Sequence, residues 1–463
     1  MKSRIQRIHF TGIGGIGMSG IAELLHNQGF TVQGSDVSHS ANVQRLQALG
    51  INVNIGHQAD WVANTDVVVV TSAVKADNPE LLAAQEANIP VIPRAEMLAE
   101  LMRMKQGIAI AGSHGKTTIT SMIAHVMEVA GLDPTYVIGG RLMASGSNAR
   151  LGSSPWLVAE ADESDGSFLR LSPMISVVSN IDPEHLDYYG DFTHLLQAFE
   201  RFVNQTPFYG RVILHHEHPH VAQLRESVHR PVTTYGCSPQ ADVHLLTATP
   251  EGSHQWMEVA CHATSRLPAE RFSLRLPMPG IHNAENALAA VAVLRDIGIS
   301  LADIRGGLES FGGIWRRFQC TPHQDAMLVD DYGHHPKEIS VTLQAARDCW
   351  PSAHITAIFQ PHRYTRTRDL MSDFMGAFDL ADAVHVLPIY AASEAAIEGV
   401  HHAALVHGMR LRGHRHALTC DDLAAAMPVA MASLKNNNVL VLLGAGSIGS
   451  MAEQLRKTLA SKA

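Results

Sequence analysis

Eight residues, Ala111–Thr118 (AGSHGKTT), carry the strongest chemical signal in this chain. A glycine-rich turn at the mouth of a helix offers unpaired backbone N–H groups and the positive end of the helix dipole, which together favour a polyphosphate. Lys116 would reach the outer phosphates, and the Thr117 hydroxyl would ligate Mg²⁺. The match to the Walker pattern is incomplete, because Ile110 stands in the first glycine's place. A second glycine turn, Gly12-x-Gly14-x-x-Gly17, is followed by Asp36 at the spacing of a dinucleotide fingerprint. There the glycines let backbone approach a pyrophosphate and the acid takes a ribose. The pattern does not distinguish NAD, FAD and a nucleotide sugar. The segment Glu160–Asp165 (EADESD) sets four carboxylates in six residues. Mg²⁺ is often held by one or two carboxylates together with phosphates, and Glu160 comes first after an apolar run. The remaining acids read equally well as a solvated turn. His185, in DPEHLD, is a second-ligand or general-base candidate.

The C-terminal third supplies cations and a mixed polar turn. Arg316-Arg317-Phe318 and Gln360–Arg366 (QPHRYTR) bring guanidinium groups, whose planar fork suits phosphate and carboxylate. Asp331–Pro336 (DYGHHP) combines a carboxylate, a phenol and imidazoles. Adjacent histidines in a turn rarely face one ion, so metal binding by His334 and His335 is disfavoured.

These groups need elements to hold them. Gly107–Ile110 reads as a buried strand before the lysine turn. Ile119, Met122, Ile123, Val126, Met127 and Ala130 fall at helical spacing after it, with Gly131 at the C-cap. The same strand–turn–helix unit recurs at His9–Gly20 and at Val439–Ser450. Three such starts predict three α/β units: domains at 1–105, 106–313 and 314–463, with a β-rich excursion between about 208 and 275. The first and last read as Rossmann-like and the middle one as a P-loop ATPase type. Polar residues repeatedly follow apolar runs: Ser72, Glu160, Asp182 with His185, Asp330 with Asp331, and His362 with Arg363. Ligands in open parallel sheets bind beyond the strands' carboxyl ends, so these positions predict a cleft.

Composition sets limits. The 463 residues are 46% hydrophobic and 17% charged, with a formal net charge of −9. The absence of a Lys/Arg-rich block argues against nucleic acid as a partner. Five scattered cysteines without a C-x-x-C pair suggest reduced thiols and a cytoplasmic location. The apolar stretch near the N-terminus is too short for a signal peptide, and no run is long enough for a membrane span. The 28 histidines include clusters at 215–220 and 414–416, but none has a convincing metal spacing, and most are expected at the surface.

The segments GIGGIGMSG, AGSHGKTT, EADESDGSF, HNAENA, RRF, DDYGHHP and QPHRYTRTRDL occur in the order found in the Mur ligase family, which the chain resembles over nearly its whole length. The resemblance implies peptidoglycan precursor synthesis: ATP phosphorylates the lactyl carboxylate of UDP-N-acetylmuramate, and the amino group of L-alanine attacks the acyl phosphate. It places Gly112, Ser113, His114, Gly115, Lys116, Thr117 and Thr118 around the ATP phosphates. Thr117 and Glu160 would hold one Mg²⁺ and His185 a second. Asn283 and Asn286 would lie on the nucleotide side, Arg317 on the γ-phosphate and Asp331 on the ribose. Tyr332, His334, His362, Arg363 and Arg366 would surround the alanine and lactyl carboxylates. Gly14, Gly15, Ile16, Gly17 and Met18 would cradle the UDP diphosphate, with Asp36, His57 and Ser72 near the nucleotide sugar. A monomer or homodimer is expected. Three departures stand out: Ser113 and Ile119 replace threonines, Trp315 replaces a smaller or basic residue, and Leu186–Gly210 lacks the lysine that several relatives carbamoylate.

Overall fold

The computed structural model of the chain describes residues 1, 4–71, 73–139, 143, 148–265, 267–392 and 394–460. Ser72, expected near the nucleotide sugar, lies outside the described residues, as does the Ile16 side chain.

The N-terminal sheet is formed by β1 (Arg7–Thr11), β2 (Thr31–Asp36), β3 (Asn52–Ile55), β4 (Val67–Val70) and β5 (Val91–Pro93), in the order β3-β2-β1-β4-β5. All its pairings are parallel. The order reverses beside β1, so the glycine turn after Thr11 opens at the sheet's switch point. Met18, Ile21, Ala22 and Leu25 of the helix Ile16–Asn27 are all buried, as their spacing requires.

The central sheet contains β6 (Gln106–Ala111), β7 (Thr135–Val137), β8 (Ala149–Arg150), β9 (Trp156–Glu160), β10 (Ile175–Val178), β11 (Arg211–His215), β12 (Val232–Gly236), β13 (Val243–Glu251), β14 (His254–Cys261) and β15 (Glu270–Leu276). Its order is β15-β14-β13-β12-β11-β10-β6-β9-β7-β8. The last three long strands are the expected β-rich excursion. After β6 the chain forms the helix Lys116–Val129, in which Ile119, Met122, Ile123, Val126 and Met127 are fully buried. Burying each such side chain contributes about 2 kcal/mol. Gly131 ends the helix at φ +77°, a backbone angle that suits glycine, and Leu132 N–H returns to Met127 C=O at 2.8 Å.

The C-terminal sheet has β16 (Gln319–His323), β17 (Ala326–Asp331), β18 (Ile355–Phe359), β19 (Ala383–Val386), β20 (Ala417–Thr419) and β21 (Val439–Leu443), ordered β16-β17-β21-β18-β19-β20. Only β16 is antiparallel to its neighbour.

By packing, the chain divides into two compact units: Met1–Thr247 with Met257–Leu274 and Glu285–Gly312, and Gly313–Ala463 with Ala248–Trp256 and Arg275–Ala284. The first two glycine turns therefore belong to one unit. All five cysteines are free thiols. Most histidines are partly buried, contrary to expectation. Their rings engage carboxylates and backbone: His215 lies 3.3 Å from Glu285, His218 3.7 Å from Asp182, and His414 Nε2 2.9 Å from Ala381 O.

Candidate active site

The lysine turn is built on β6 and locked from β10. Asn180 accepts from His114 N–H at 2.7 Å and donates to His114 C=O at 3.0 Å, while Ser179 Oγ donates to the same carbonyl at 2.6 Å. Ser113 keeps the hydroxyl's work, accepting from Asp182 N–H at 2.9 Å. Ile119, the other departure in this motif, points into the core. Gly115 adopts φ +86°, and a Cβ there would sit 2.5 Å from Asn286 Oδ1. The turn thus requires glycine and has Asn286 packed against it. The helix opens on Gly115 with no side-chain cap and no acid in its first turn, so its leading N–H groups remain for an anion.

Lys116 does not reach outward. Its Nζ lies 2.7 and 2.9 Å from the Glu163 carboxylate and donates to Gly112 C=O at 2.5 Å. Glu163 is buried, and burial pushes its carboxyl up while Lys116 opposes the shift. Burial works against the lysine's charge, but the Glu163 carboxylate outweighs it and raises the Lys116 pKa.

Strand register sets the metal candidates around this turn. Glu160 pairs with Ile110 across β6 and β9, and Val178 pairs with Ala111 across β6 and β10. Glu160 therefore flanks the turn on one side, and the segment carrying His185 leaves the sheet on the other. One Glu160 oxygen accepts from Gly139 N–H at 2.6 Å, which aims the carboxylate and leaves its second oxygen. A carboxylate and the Thr117 hydroxyl are the hard oxygen donors that Mg²⁺ takes. His185 adopts φ +57° beside Glu184, 3.9 Å away.

In the N-terminal turn, Asp36 accepts from Gly14 N–H at 2.8 Å and from Ser38 N–H at 3.0 Å. It braces the turn from within rather than presenting both oxygens to a ribose, because a carboxylate this buried must be satisfied. The Met18 side chain is core, leaving only its backbone for a ligand. His57 is held by Ser35 Oγ at 3.0 Å and by the fully buried Glu80 at 3.5 Å. Glu80 also gathers His9, Thr11 and Ser35 at 3.1, 2.8 and 2.7 Å.

Within the second unit, the arginine pair divides its work. Arg316, at φ +58°, pairs with the fully buried Asp330 at 3.1 Å, and Arg456 meets the other Asp330 oxygen at 3.1 Å. Arg317 reaches Glu338 at 3.9 Å and remains partly exposed. Both guanidinium groups lie 5.4 Å from the Tyr332 ring centroid. Trp315 packs under Arg456 at 4.8 Å, which accounts for its place in this motif. Asp331 was expected at a ribose, but its oxygens accept from Phe318 N–H and Gly333 N–H, both at 2.7 Å. Asn283 is likewise committed, donating to Pro279 C=O at 2.7 Å from a buried position. His334 and His362 come together with ring centroids 5.7 Å apart, and Arg366 lies 3.4 Å from His362. Burial above all, helped by Arg366, lowers both imidazoles to about 4. They are therefore neutral at neutral pH, and positive charge here comes from Arg363 and Arg366. Arg363 is held at φ +72° and ψ 137°, a sparsely populated backbone conformation that costs about 1–3 kcal/mol. The third glycine turn, after β21, is filled from within. Gln360 Oε1 accepts from Ile448 N–H at 2.9 Å and occupies the helix mouth.

Comparison with known proteins decides the family. Residues 7–106 match the model of the Mur ligase family catalytic domain, 110–294 the Mur ligase middle domain, and 316–446 the Mur ligase glutamate ligase domain. A relative from Brucella anthropi is 48% identical over 100% of this chain and 99% of its own length, and one from Rhizobium meliloti is 50% identical over 99% and 98%. The chain belongs to the Mur ligase family. Both relatives are described as UDP-N-acetylmuramate–L-alanine ligases. The crystal structure of the UDP-N-acetylmuramate-alanine ligase of Thermotoga maritima superposes on this Mur ligase with TM-score 0.84 at 30% identity, covering 99% of this chain and 100% of that one. A MurF ligase from Thermotoga maritima, solved with ADP, shares the fold at TM-score 0.64 and 16% identity, over 93% and 96%.

Several of this Mur ligase's site residues escaped the motif reading. Glu163 sits in the quoted acidic segment but was grouped with solvated acids. Ser179 and Asn180 precede the DPEH segment and look like ordinary loop starts.

Proposed function

We propose that this chain joins L-alanine to the lactyl carboxylate of UDP-N-acetylmuramate, with ATP as phosphoryl donor and an acyl phosphate between. The carrying observation is the glycine turn whose uncapped helix N–H groups open at the switch point of the central sheet, with Lys116 held beside them by Glu163. Full-length relatives bearing that activity in their names support it. The turn holds the triphosphate, and Lys116 moves from Glu163 onto its outer oxygens, where it offsets charge as two anions approach. Thr117 and Glu160 would hold Mg²⁺, with His185 at a second position, and the ion when bound neutralises phosphate charge. Gly14–Met18 cradle the UDP diphosphate, and His57, fixed by Ser35 and Glu80, faces the nucleotide sugar. Arg317 meets the γ-phosphate. Arg363 and Arg366 grip the carboxylates that Tyr332, His334 and His362 flank. An imidazole near pKa 4 is too weak a base for an ammonium, so His334 and His362 orient rather than deprotonate. The working pieces are 1–105, 106–313 and 314–463, in a cytoplasmic monomer or homodimer. Among the described residues no helix is long and apolar enough to cross a membrane. ADP release with UDP-N-acetylmuramate across a panel of amino acids tests the reading: L-alanine should be preferred, and turnover only with a tripeptide would overturn it.

A further inference from the structure

Glu80, in the first turn of the helix Pro79–Glu86, is a fully buried carboxylate met by imidazoles and hydroxyls. Its Oε2 collects Ser35 Oγ at 2.7 Å, Thr11 Oγ1 at 2.8 Å and His9 Nε2 at 3.1 Å. Its Oε1 is buried, makes no hydrogen bond to the described residues and lies 3.5 Å from His57 Nδ1. Burial works against this charge, but the bonds from His9, Ser35 and Thr11 outweigh it and hold the carboxyl below its ordinary value.

These contacts fix where protons sit. An ionised carboxylate only accepts, so the single hydroxyl proton of Ser35 is spent on Glu80. Toward His57 Nδ1, 3.0 Å away, Ser35 Oγ can then only accept. Glu80 Oε1, facing the same nitrogen, can only accept as well. His57 Nδ1 therefore carries a proton, and in the neutral ring Nε2 is left as an acceptor. His9 follows the same order: its Nε2–H faces Glu80, and Gln33 Nε2 lies 3.4 Å from its Nδ1 as donor. His57 also stands where a nucleoside would reach. It follows β3 at the same carboxyl edge as the glycine turn after β1, and it is partly exposed. β3 is two strands from β1, about 10 Å at ordinary strand spacing, which a ribose and base can span from a diphosphate held at the turn.

We infer that Glu80 is a positioning residue for uridine recognition: through Ser35 it keeps the His57 proton on Nδ1, so that Nε2 accepts from a donor of the uridine group, its imide N–H or a ribose hydroxyl. This deepens the function proposed above and rests on it. Cytosine has a lone pair where uracil has the imide N–H, and a dideoxyribose has no hydroxyl to give, so each removes one of the two donors.

The intact chain labelled with 15N-histidine reports the tautomer by NMR without nucleotide. The His57 resonances, identified by their loss in His57→Ala, should show Nδ1 protonated and Nε2 bare. Glu80→Gln offers an amide N–H to Nδ1 and should move the proton to Nε2. By calorimetry Glu80→Gln should weaken UDP binding about 10-fold, roughly one hydrogen bond to a mismatched group, and leave ATP affinity within about 2-fold, as a distant site should. CDP should bind wild type more weakly than UDP where the imide is the donor, and 2′,3′-dideoxy-UDP where a ribose hydroxyl is. His57→Ala should erase that difference, and Glu80→Gln added to it should cost no further UDP affinity. A wild-type His57 protonated on Nε2, equal affinity for all three nucleotides, or independent losses in the double variant each overturns the inference. Where Glu80→Gln does not fold, the wild-type tautomer and the nucleotide panel decide by themselves. A wild-type chain that binds no UDP at all overturns the proposed function instead, whatever the tautomer.

Discussion

Removing Lys116 should cost stability and chemistry by separate routes. Its Nζ lies 2.7 and 2.9 Å from the two oxygens of Glu163, a carboxylate with a side chain only 2% exposed. At an effective dielectric of 20 this attraction is about 6 kcal/mol. Withdrawing both ions from water takes back several kcal/mol, so the intact pair is near neutral for folding. Lys116→Ala removes the attraction and leaves the desolvated carboxylate, a loss of roughly 3–5 kcal/mol. Glu163 can limit that loss by taking a proton, since burial already pushes its carboxyl up. The thermal midpoint of Lys116→Ala should therefore fall further below wild type at pH 8 than at pH 5. The double variant Lys116→Ala/Glu163→Gln should regain most of the midpoint, with no stranded charge. ADP release should fall at least 100-fold in both, about 3 kcal/mol of lost transition-state stabilisation. A Lys116→Ala midpoint equal to wild type at both pH values would refute the buried-pair argument. Wild-type ADP release by that variant would refute the lysine's role at the phosphates.

Gly115→Ala must take φ +86° with its Cβ 2.5 Å from Asn286 Oδ1; the left-handed angle alone costs about 1–2 kcal/mol, and the ATP KM should rise about 10-fold or more in turnover assays. Asn180→Ala removes two hydrogen bonds to His114, and at about 1 kcal/mol each the ATP affinity should drop by up to about 30-fold by calorimetry. Arg366→Ala should raise the apparent KM for L-alanine 10-fold or more while ATP binding is kept; an unchanged KM would remove it from the amino-acid site. His334 is depressed from 6.5 to about 4, chiefly by burial, so its neutral form stabilises the fold above pH 6.5 and that contribution is lost as pH falls through 4. The shift corresponds to roughly 3 kcal/mol, and acid unfolding of His334→Gln should be shallower than wild type between those pH values.

The architecture was readable wherever an apolar period ended in glycine. β6, the helix Lys116–Val129 and the Gly131 cap all follow from local sterics and burial, which sequence spacing records directly. Gly115 was legible for the same reason: a tight turn at the carboxyl end of a strand demands the φ of +86° that glycine supplies. Asp36, Asp331 and Asn283 were read as ligands; each also bonds backbone groups, a structural duty that leaves no trace in spacing. Glu163 was missed from the opposite side. Its partner is distant in sequence, and only the folded chain brings Lys116 to it. Histidines were misplaced because an imidazole tolerates burial when a carboxylate meets it, as His9 and Glu80 do at 3.1 Å.

The amide of Gln360 in the mouth of the third glycine turn has a consequence for how nucleotides partition over this protein. A helix end that keeps its own neutral occupant has one leading N–H already spoken for, which weakens its pull on stray phosphate. A glycine-rich loop can thus keep the shape of a nucleotide trap while serving as a plain structural corner.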